Sequence, residues 1–197
     1  AGVTFMLIVA VSRELRRRGA YGDAMPAPDL LGLLDLVALA TVCDVVPLQG
    51  LNRAFVTKGL QVMRQRRNLG LRALFDSAAL NAPPTPYTLG FVLGPRINAG
   101  GRIGDAALGA RLLATTDPLE AGEIAALLDK LNRERKAIEQ ANLEAAMAQA
   151  DQLLAAEPEL PMLLLGSADW HKGVVGLVAS RLVERYRRPA CVISWAT

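Results

Sequence analysis

The chain has 197 residues, of which 52% are hydrophobic and 21% charged, so it can build a core and is not a disordered segment. Its net charge of +3 is too small to indicate a nucleic-acid partner by itself, and few aromatic residues beside abundant Ala and Leu favour helix over sheet. Cys43 and Cys191 lie far apart in apolar surroundings without metal-site spacing, which indicates buried free thiols in a reducing compartment.

The N-terminal half of the chain reads as short helices separated by turns. Glycine, proline and capping residues mark the ends of these helices. We predict helices over residues 3–18, 29–42, 52–67, 71–80, 87–93 and 105–113. Phe55, Leu60 and Met63 are the expected buried positions of the third helix, and Asp35 is expected on the surface of the second.

The apolar run from Leu30 to Leu48 has almost the length of a membrane span. Asp35 and Asp44 lie inside it, and carboxylates are costly in a bilayer interior. A buried helix with Asp29 as its cap fits the pattern better.

One long helix is the clearest local signal. Asp117 can be its N-cap, Pro118 its first residue and Glu120 the reciprocal capping residue, and no Gly or Pro follows between Glu123 and Pro158. Such a helix is about 55–60 Å long. Its middle is mostly polar and its ends are apolar, which predicts a connector between two domains that is solvated in its middle.

The C-terminal part alternates strand and helix. We predict a strand over residues 161–165, a loop over 166–172, a helix over 173–186 and a strand over 190–194. Two strands joined by a helix are typical of a parallel sheet. The expected fold class is therefore α/β and helix-rich.

Asp44 is the first candidate for chemistry. It is flanked by apolar residues, and a carboxylate buried there would need an N–H cluster, an Arg or a divalent metal as its partner. A turn or cap aspartate near Pro47 is the alternative.

The second candidate is the stretch from Gly94 to Asp105, which reads as a glycine-rich loop over residues 94–104 followed by a capping aspartate. Glycines let a backbone approach an anion, and Arg96 and Arg102 supply fork-shaped donors for phosphate oxygens. The alternative is a tight connection whose arginines pair with local acids. The spacing matches neither the P-loop nor the Rossmann pattern.

The third candidate is His171, the only histidine of the chain, between a predicted strand and a predicted helix start. Ligands gather at that edge of a parallel sheet, and helix N-termini favour phosphate. A structural histidine is the alternative. The adjacent Trp170 could stack on a base or simply pack.

These segments together resemble the RecJ-type exonucleases of the DHH phosphoesterase superfamily. Leu34 to Leu48, followed by Asn52 and Arg53, resembles the fourth DHH motif in its RecJ form. Gly94 to Asp105 resembles the RecJ arginine–asparagine–glycine loop, and Trp170 to Leu182 resembles the start of the DHH-associated domain. The order and spacing of the three segments also fit.

The resemblance implies two domains that face each other across a groove and are joined by a long helix. Residues 1–115 would be the C-terminal part of the DHH domain, 116–157 the connecting helix and 158–197 the start of the associated domain. The implied activity is processive 5′→3′ digestion of single-stranded DNA with Mn²⁺ or Mg²⁺, in recombination and repair. The implied partners are single-stranded DNA, a single-strand-binding protein and a helicase, in the cytoplasm and away from membranes.

The same resemblance assigns roles to five residues. Asp44 matches the metal-binding, catalytic aspartate of the fourth motif. Arg96, Asn98 and Arg102 match the substrate-facing loop. His171 matches the histidine of the associated domain that approaches DNA phosphate.

The chain also departs from the family pattern. The DHH triad, the upstream aspartate motifs, the later glycine–serine–arginine segment and an OB-fold are missing from it. Because residues 1–11 resemble the family helix that follows the triad, we interpret the departures as truncation and expect this chain to be inactive by itself. Cys43 stands where a small residue such as Ala is expected.

Two other functions remain open from the sequence. One is a DHH phosphodiesterase of short oligonucleotides or cyclic dinucleotides, although such enzymes usually carry a glycine-rich histidine motif instead of residues 170–173. The other is a non-catalytic relative that binds single strands, against which the retained Asp44 argues.

Overall fold

A computed structural model describes residues 1–195 of the chain. The helices are α1 Gly2–Arg17, α2 Leu34–Cys43, α3 Gly50–Met63, α4 Leu69–Ser77, α5 Gly94–Ile103, α6 Ala107–Ala114, α7 Pro118–Ala156 and α8 Val175–Tyr186. The strands are β1 Leu163–Ser167 and β2 Ala190–Ser194. A 3-10 turn, Leu31–Leu33, precedes α2, and a π-helix, Thr88–Leu93, precedes α5. The predicted helix-rich α/β class is confirmed.

The chain divides into two compact units. The first unit comprises Ala1–Ile97 and Gly109–Leu127, and the second comprises Asn98–Leu108 and the chain from Leu128 onward. Within the described residues no helix is long and apolar enough to cross a membrane.

The first unit is built around α2, which packs against α3. Gly59 makes this approach possible, because a β-carbon there would lie 2.1 Å from the Leu34 carbonyl oxygen. Phe5 of α1 adds an edge-to-face contact with Phe55, with ring centroids 5.4 Å apart. Met63 is buried as predicted, whereas Phe55 and Leu60 are only half-buried.

The second unit contains a parallel β1–α8–β2 arrangement. Leu163 pairs with Ala190 and Leu165 with Val192 in register, so the predicted parallel pairing is confirmed. The apolar face of α8 packs on the strands over a core that α7 also joins; its buried members are Ala146, Ala150, Leu163, Leu165, Trp170, Val178 and Leu182.

Helix α7 is a single helix of 39 residues, as its caps predict. The Asp117 carboxylate accepts a hydrogen bond from the Leu119 N–H at 2.9 Å. Glu120 does not complete a capping box; it accepts instead from the Thr115 hydroxyl and, at 2.9 Å, from Arg111.

The polar middle of α7 is not solvated all round, which contradicts our expectation. Asn132, Arg135 and Asn142 are buried, and Arg135 forms an ion pair with Glu139 and a hydrogen bond with Asn132. Glu139 and the Asn132 amide thus provide partners for a buried guanidinium that the sequence pattern places in solvent.

The predicted loop over Gly94 to Gly104 is wrong, because all of it except Gly104 belongs to helix α5. Pro95 has no N–H and therefore cannot donate a helical backbone hydrogen bond. The wider π turn directly before it accommodates this missing bond. The low helix propensity of the glycines is offset by close packing: a β-carbon on Gly94 would lie 2.6 Å from the Cys43 sulphur, and one on Gly100 would lie 3.2 Å from Leu128.

The cysteines are less buried than predicted. Cys43 is half-buried and Cys191 is exposed, and both are free thiols. Cys191 is exposed because β2 turns alternate side chains away from the face that α8 covers.

Candidate functional site

Asp44 is the residue that terminates α2 in the first unit. Its N–H still donates to the Ala40 carbonyl at 3.0 Å, and Val45 then turns the chain with a φ of 54°. The Asp44 side chain is exposed, so it is not the buried carboxylate that its apolar neighbours suggested. A carboxylate beside the negative end of a helix is electrostatically unfavourable, and a cation relieves this repulsion.

Cys43, the last residue of α2, contacts the segment that precedes α5. Its thiol donates a weak hydrogen bond to the Leu89 carbonyl at 3.5 Å. Burial, and secondarily the Asp44 carboxylate, raise the pKa of the Cys43 thiol to about 11. The thiol therefore stays protonated at neutral pH and remains a donor.

Asp35, in the first turn of α2, is a buried carboxyl group. It is 4% exposed, although we expected it on the helix surface. Its Oδ1 accepts from the Leu36 N–H at 2.7 Å. Burial raises the pKa of Asp35, and its backbone hydrogen bonds oppose this only in part.

A divalent metal is the group that the resemblance implies for Asp44. The part of the chain that the structure describes brings together no cluster of three or more His, Cys, Asp or Glu side chains. The donor set present therefore fits a metal site only as one contributed carboxylate, and Mg²⁺ or Mn²⁺ binds weakly to one carboxylate and water.

Helix α5 carries the three residues that the resemblance assigns to substrate. Arg96, in the first unit, is half-buried and donates to the Val92 carbonyl at 2.8 Å. Asn98 and Arg102 belong to the second unit and lie one helical turn apart, on the same helix face. Asn98 is exposed and Arg102 is half-buried.

His171 lies in the turn between β1 and α8 of the second unit, as predicted. The Gly173 N–H donates to its Nδ1 at 3.0 Å, and the Val174 N–H donates to its carbonyl oxygen at 3.0 Å. Trp170 is buried in the core, so of its two expected roles it packs and does not offer a face for a base. Its carbonyl oxygen accepts from the Ser194 hydroxyl at 2.5 Å.

The structure brings two of the candidates together within the second unit. Arg102 Nη1 donates to the Gly173 carbonyl at 3.0 Å, so its guanidinium holds the turn that contains His171. Gly173 is thus a shared partner of both side chains, a role that the sequence did not reveal because 71 residues separate Arg102 from Gly173.

Comparison with known proteins gives one consistent result, although no protein-family profile matches the sequence. The chain is 41% identical to the single-stranded-DNA-specific exonuclease RecJ of Dickeya dadantii over 199 residues, which cover 99% of this chain and 34% of that protein. The same identity and coverage hold for RecJ of Escherichia coli. The chain spans about a third of the length of these curated relatives.

Solved structures agree with the sequence comparison. RecJ of Thermus thermophilus in complex with Mg²⁺ matches with a TM-score of 0.77 and 35% identity, over 91% of this chain and 27% of that one. A RecJ exonuclease bound to manganese matches with a TM-score of 0.74 and 35% identity, over 91% of this chain and 43% of that one.

Proposed function

We propose that this chain, a homologue of RecJ along 99% of its length, is part of the catalytic core of a metal-dependent 5′→3′ exonuclease that acts on single-stranded DNA in recombination and repair. The observation that carries the proposal is the joint agreement of sequence and fold with RecJ over nearly the whole chain. The match to RecJ structures that contain Mg²⁺ or Mn²⁺ supports the choice of metal.

Asp44 is the metal ligand in this proposal. Its exposure at the C-terminal end of α2 supports the role, because both the carboxylate and the helix dipole favour a cation there. Asp44 would hold one ion of a two-metal centre, whose chemistry would be charge stabilisation at the scissile phosphate and activation of water. Such a centre takes more ligands than Asp44 alone. The remaining ligands would belong to other parts of a longer protein.

Arg96, Asn98, Arg102 and His171 are the DNA contacts in this proposal. The Arg102 guanidinium has five N–H donors, and one of them, on Nη1, is bonded to the Gly173 carbonyl. The remaining N–H groups can donate to a phosphate oxygen. Asn98 is exposed on the same helix face and can bind phosphate or sugar through its amide.

The domain assignment follows the same homology. Residues 1–115 would belong to a DHH domain, 116–157 to the connecting helix and 158–197 to the DHH-associated domain, of which 196 and 197 lie outside the described residues. A single-strand-binding protein and a helicase in the cytoplasm are the proposed partners.

The proposal is tested with the full-length protein and single-stranded DNA labelled at either end, in Mn²⁺. Release of short products from a 5′ label at the earliest times, slower loss of a 3′ label and resistance of blunt duplex DNA are expected. Digestion from the 3′ end, or no digestion of single strands, would contradict it.

A further inference from the structure

We propose that Arg102 is a positioning residue, which holds the turn at Gly173 so that the His171 ring keeps its proton on Nε2 and offers that N–H to a phosphate oxygen of the substrate. The phosphate part of this inference rests on the proposed function. The tautomer of the ring and its dependence on Arg102 do not rest on the proposed function, and they can be tested without DNA.

The turn is fixed by a chain of hydrogen bonds. Arg102 Nη1 donates to the Gly173 carbonyl at 3.0 Å, the Gly173 N–H donates to His171 Nδ1 at 3.0 Å, and the Val174 N–H donates to the His171 carbonyl at 3.0 Å. Both peptide groups that meet at the Gly173 Cα are therefore engaged: the Gly173–Val174 group through its carbonyl with Arg102, and the Lys172–Gly173 group through its N–H with His171.

The backbone of α5 also lies directly against this turn. A β-carbon on Gly173 would be 2.0 Å from the Arg102 carbonyl oxygen and 3.1 Å from His171 Cε1. No side chain fits there unless the backbone moves. Arg102 thus contacts the turn through both its carbonyl oxygen and its guanidinium.

The direction of the bond at Nδ1 determines the tautomer of His171. A backbone N–H can only donate, so Nδ1 must present its lone pair, and in the neutral ring the proton is then on Nε2. The opposite tautomer would place two N–H groups against each other. Nε2–H is a hydrogen-bond donor, which suits a phosphate oxygen and requires no proton uptake.

The preceding residue keeps the turn in place. Trp170 is buried in the core, and its carbonyl oxygen accepts from Ser194 of β2. With the turn anchored at Trp170 and at Val174, the Arg102 bond holds the Gly173–Val174 peptide group. This restrains the adjacent Lys172–Gly173 peptide group, whose N–H orients the imidazole.

Nitrogen-15 NMR of the imidazole tests the inference directly, since the chain has a single histidine and its signals need no assignment. At pH 8.5, where imidazoles are neutral, the 197-residue chain should show a pyridine-type Nδ1 and a pyrrole-type Nε2. Arg102→Ala should shift the two nitrogens toward the averaged values of free histidine, and Arg102→Lys should do so in part, because lysine lacks the planar fork. Arg181→Ala, which removes an exposed arginine of the same unit, should change neither signal.

Two results would overturn the inference. One is a pyrrole-type Nδ1 in the wild-type chain, which requires no variant. The other is an unchanged tautomer in Arg102→Ala with native far-ultraviolet circular dichroism. If Arg102→Ala unfolds, the same comparison with Arg102→Lys decides.

The contribution to DNA binding is measured separately, in the full-length protein. The effects of His171→Ala and Arg102→Ala on binding to single-stranded DNA should be partly non-additive in a double-mutant cycle, because Arg102 both positions His171 and makes its own proposed phosphate contact. The effects of His171→Ala and Arg96→Ala should be additive. If the tautomer is as expected but neither variant affects DNA binding, the positioning by Arg102 stands and the proposed phosphate contact fails.

Discussion

The sulphur of Cys43 lies 2.6 Å from the position that a β-carbon on Gly94 would occupy. The Leu89 carbonyl oxygen lies 2.9 Å from the same position, so any side chain there meets two neighbours at once. Because Asp44 directly follows Cys43, this contact between the end of α2 and the start of α5 also positions the candidate metal ligand.

Gly94→Ala should therefore destabilise the chain by about 1–3 kcal/mol, the usual cost of an overpacked contact. Urea unfolding followed by circular dichroism measures this. Adding Cys43→Ala should recover part of the lost stability, because the sulphur is gone while the Leu89 carbonyl remains.

Gly122→Ala is the control, since a β-carbon there meets nothing within 4 Å, and it should stabilise α7 by roughly 0.5–1 kcal/mol. Equal stabilisation by Gly94→Ala would show that the contact is not tight.

The segment that we predicted as a loop forms helix α5 for a physical reason. Glycine and proline are weak helix formers, so the segment from Gly94 to Gly104 reads as a loop on propensity alone. The glycines are instead sites where Cys43 and Leu128 approach the helix backbone. Tertiary packing of this kind depends on residues far away in the sequence, so no local pattern could reveal it.

Asp35→Asn should raise the stability of the chain at neutral pH. Burial raises the pKa of Asp35, so the folded state holds its proton above the unfolded value of about 3.9. Stability is therefore lost as pH rises from the unfolded pKa to the raised folded pKa, and it stays lower above that window. An asparagine avoids this loss and can still accept from the Leu36 N–H.

Urea unfolding of wild type and Asp35→Asn at pH 7 and near pH 3 tests this prediction. The advantage of the asparagine should be present at pH 7 and nearly absent near pH 3. Asp23→Asn, at an exposed loop carboxylate, should stay within about 0.5 kcal/mol of wild type. A lower stability of Asp35→Asn at pH 7 would mean that the ionised carboxylate of Asp35 has a favourable partner.

Arg96→Ala and Arg102→Ala should weaken binding of the full-length protein to single-stranded DNA similarly for all sequences. Each lost phosphate contact should reduce the dependence of log K on log salt by roughly 0.7–1. Asn98→Ala should weaken binding without changing this slope, because the amide is neutral. Arg181→Ala should change neither quantity. Unchanged slopes for both Arg96→Ala and Arg102→Ala would remove these residues from the phosphate contacts.

The 197-residue chain by itself should show no nuclease activity. Asp44 is one carboxylate, and no ligand cluster forms around it in the described part of the chain. A two-metal site needs several ligands within a few ångström. Incubation of the purified chain with labelled single-stranded DNA in Mn²⁺, beside the full-length protein, is the assay. Robust metal-dependent degradation by the chain alone would show that the ligand assignment is wrong.

The elements with strong end signals were predictable. The limits of α7 are marked in the sequence by Asp117, Pro118 and Pro158. The β1–α8–β2 arrangement follows from the alternation of strand and helix patterns. The burial of Arg135 was not predictable. Glu139 lies four residues further along the helix and is a visible partner, but such i,i+4 pairs are ordinarily found on exposed helix faces, so the pair gives no sign of burial.

The candidate site was predictable only as separate motifs. Asp44, Arg102 and His171 each stand out by residue type and context, but the Arg102–Gly173 hydrogen bond depends on a turn 71 residues away. The tautomer of His171 follows from that turn geometry and from no feature of the sequence.

The most direct test of the central claim is Asp44→Ala in the full-length protein, assayed with single-stranded DNA in Mn²⁺ and Mg²⁺. Turnover should fall by several orders of magnitude, because the proposed metal ligand is gone, while the affinity for single-stranded DNA should stay close to wild type. The thermal unfolding midpoint, measured without metal, should be unchanged or higher, since Asp44 faces the negative end of α2. Wild-type turnover in the Asp44→Ala protein would contradict its assignment as a metal ligand and the proposed place of this chain in the catalytic core.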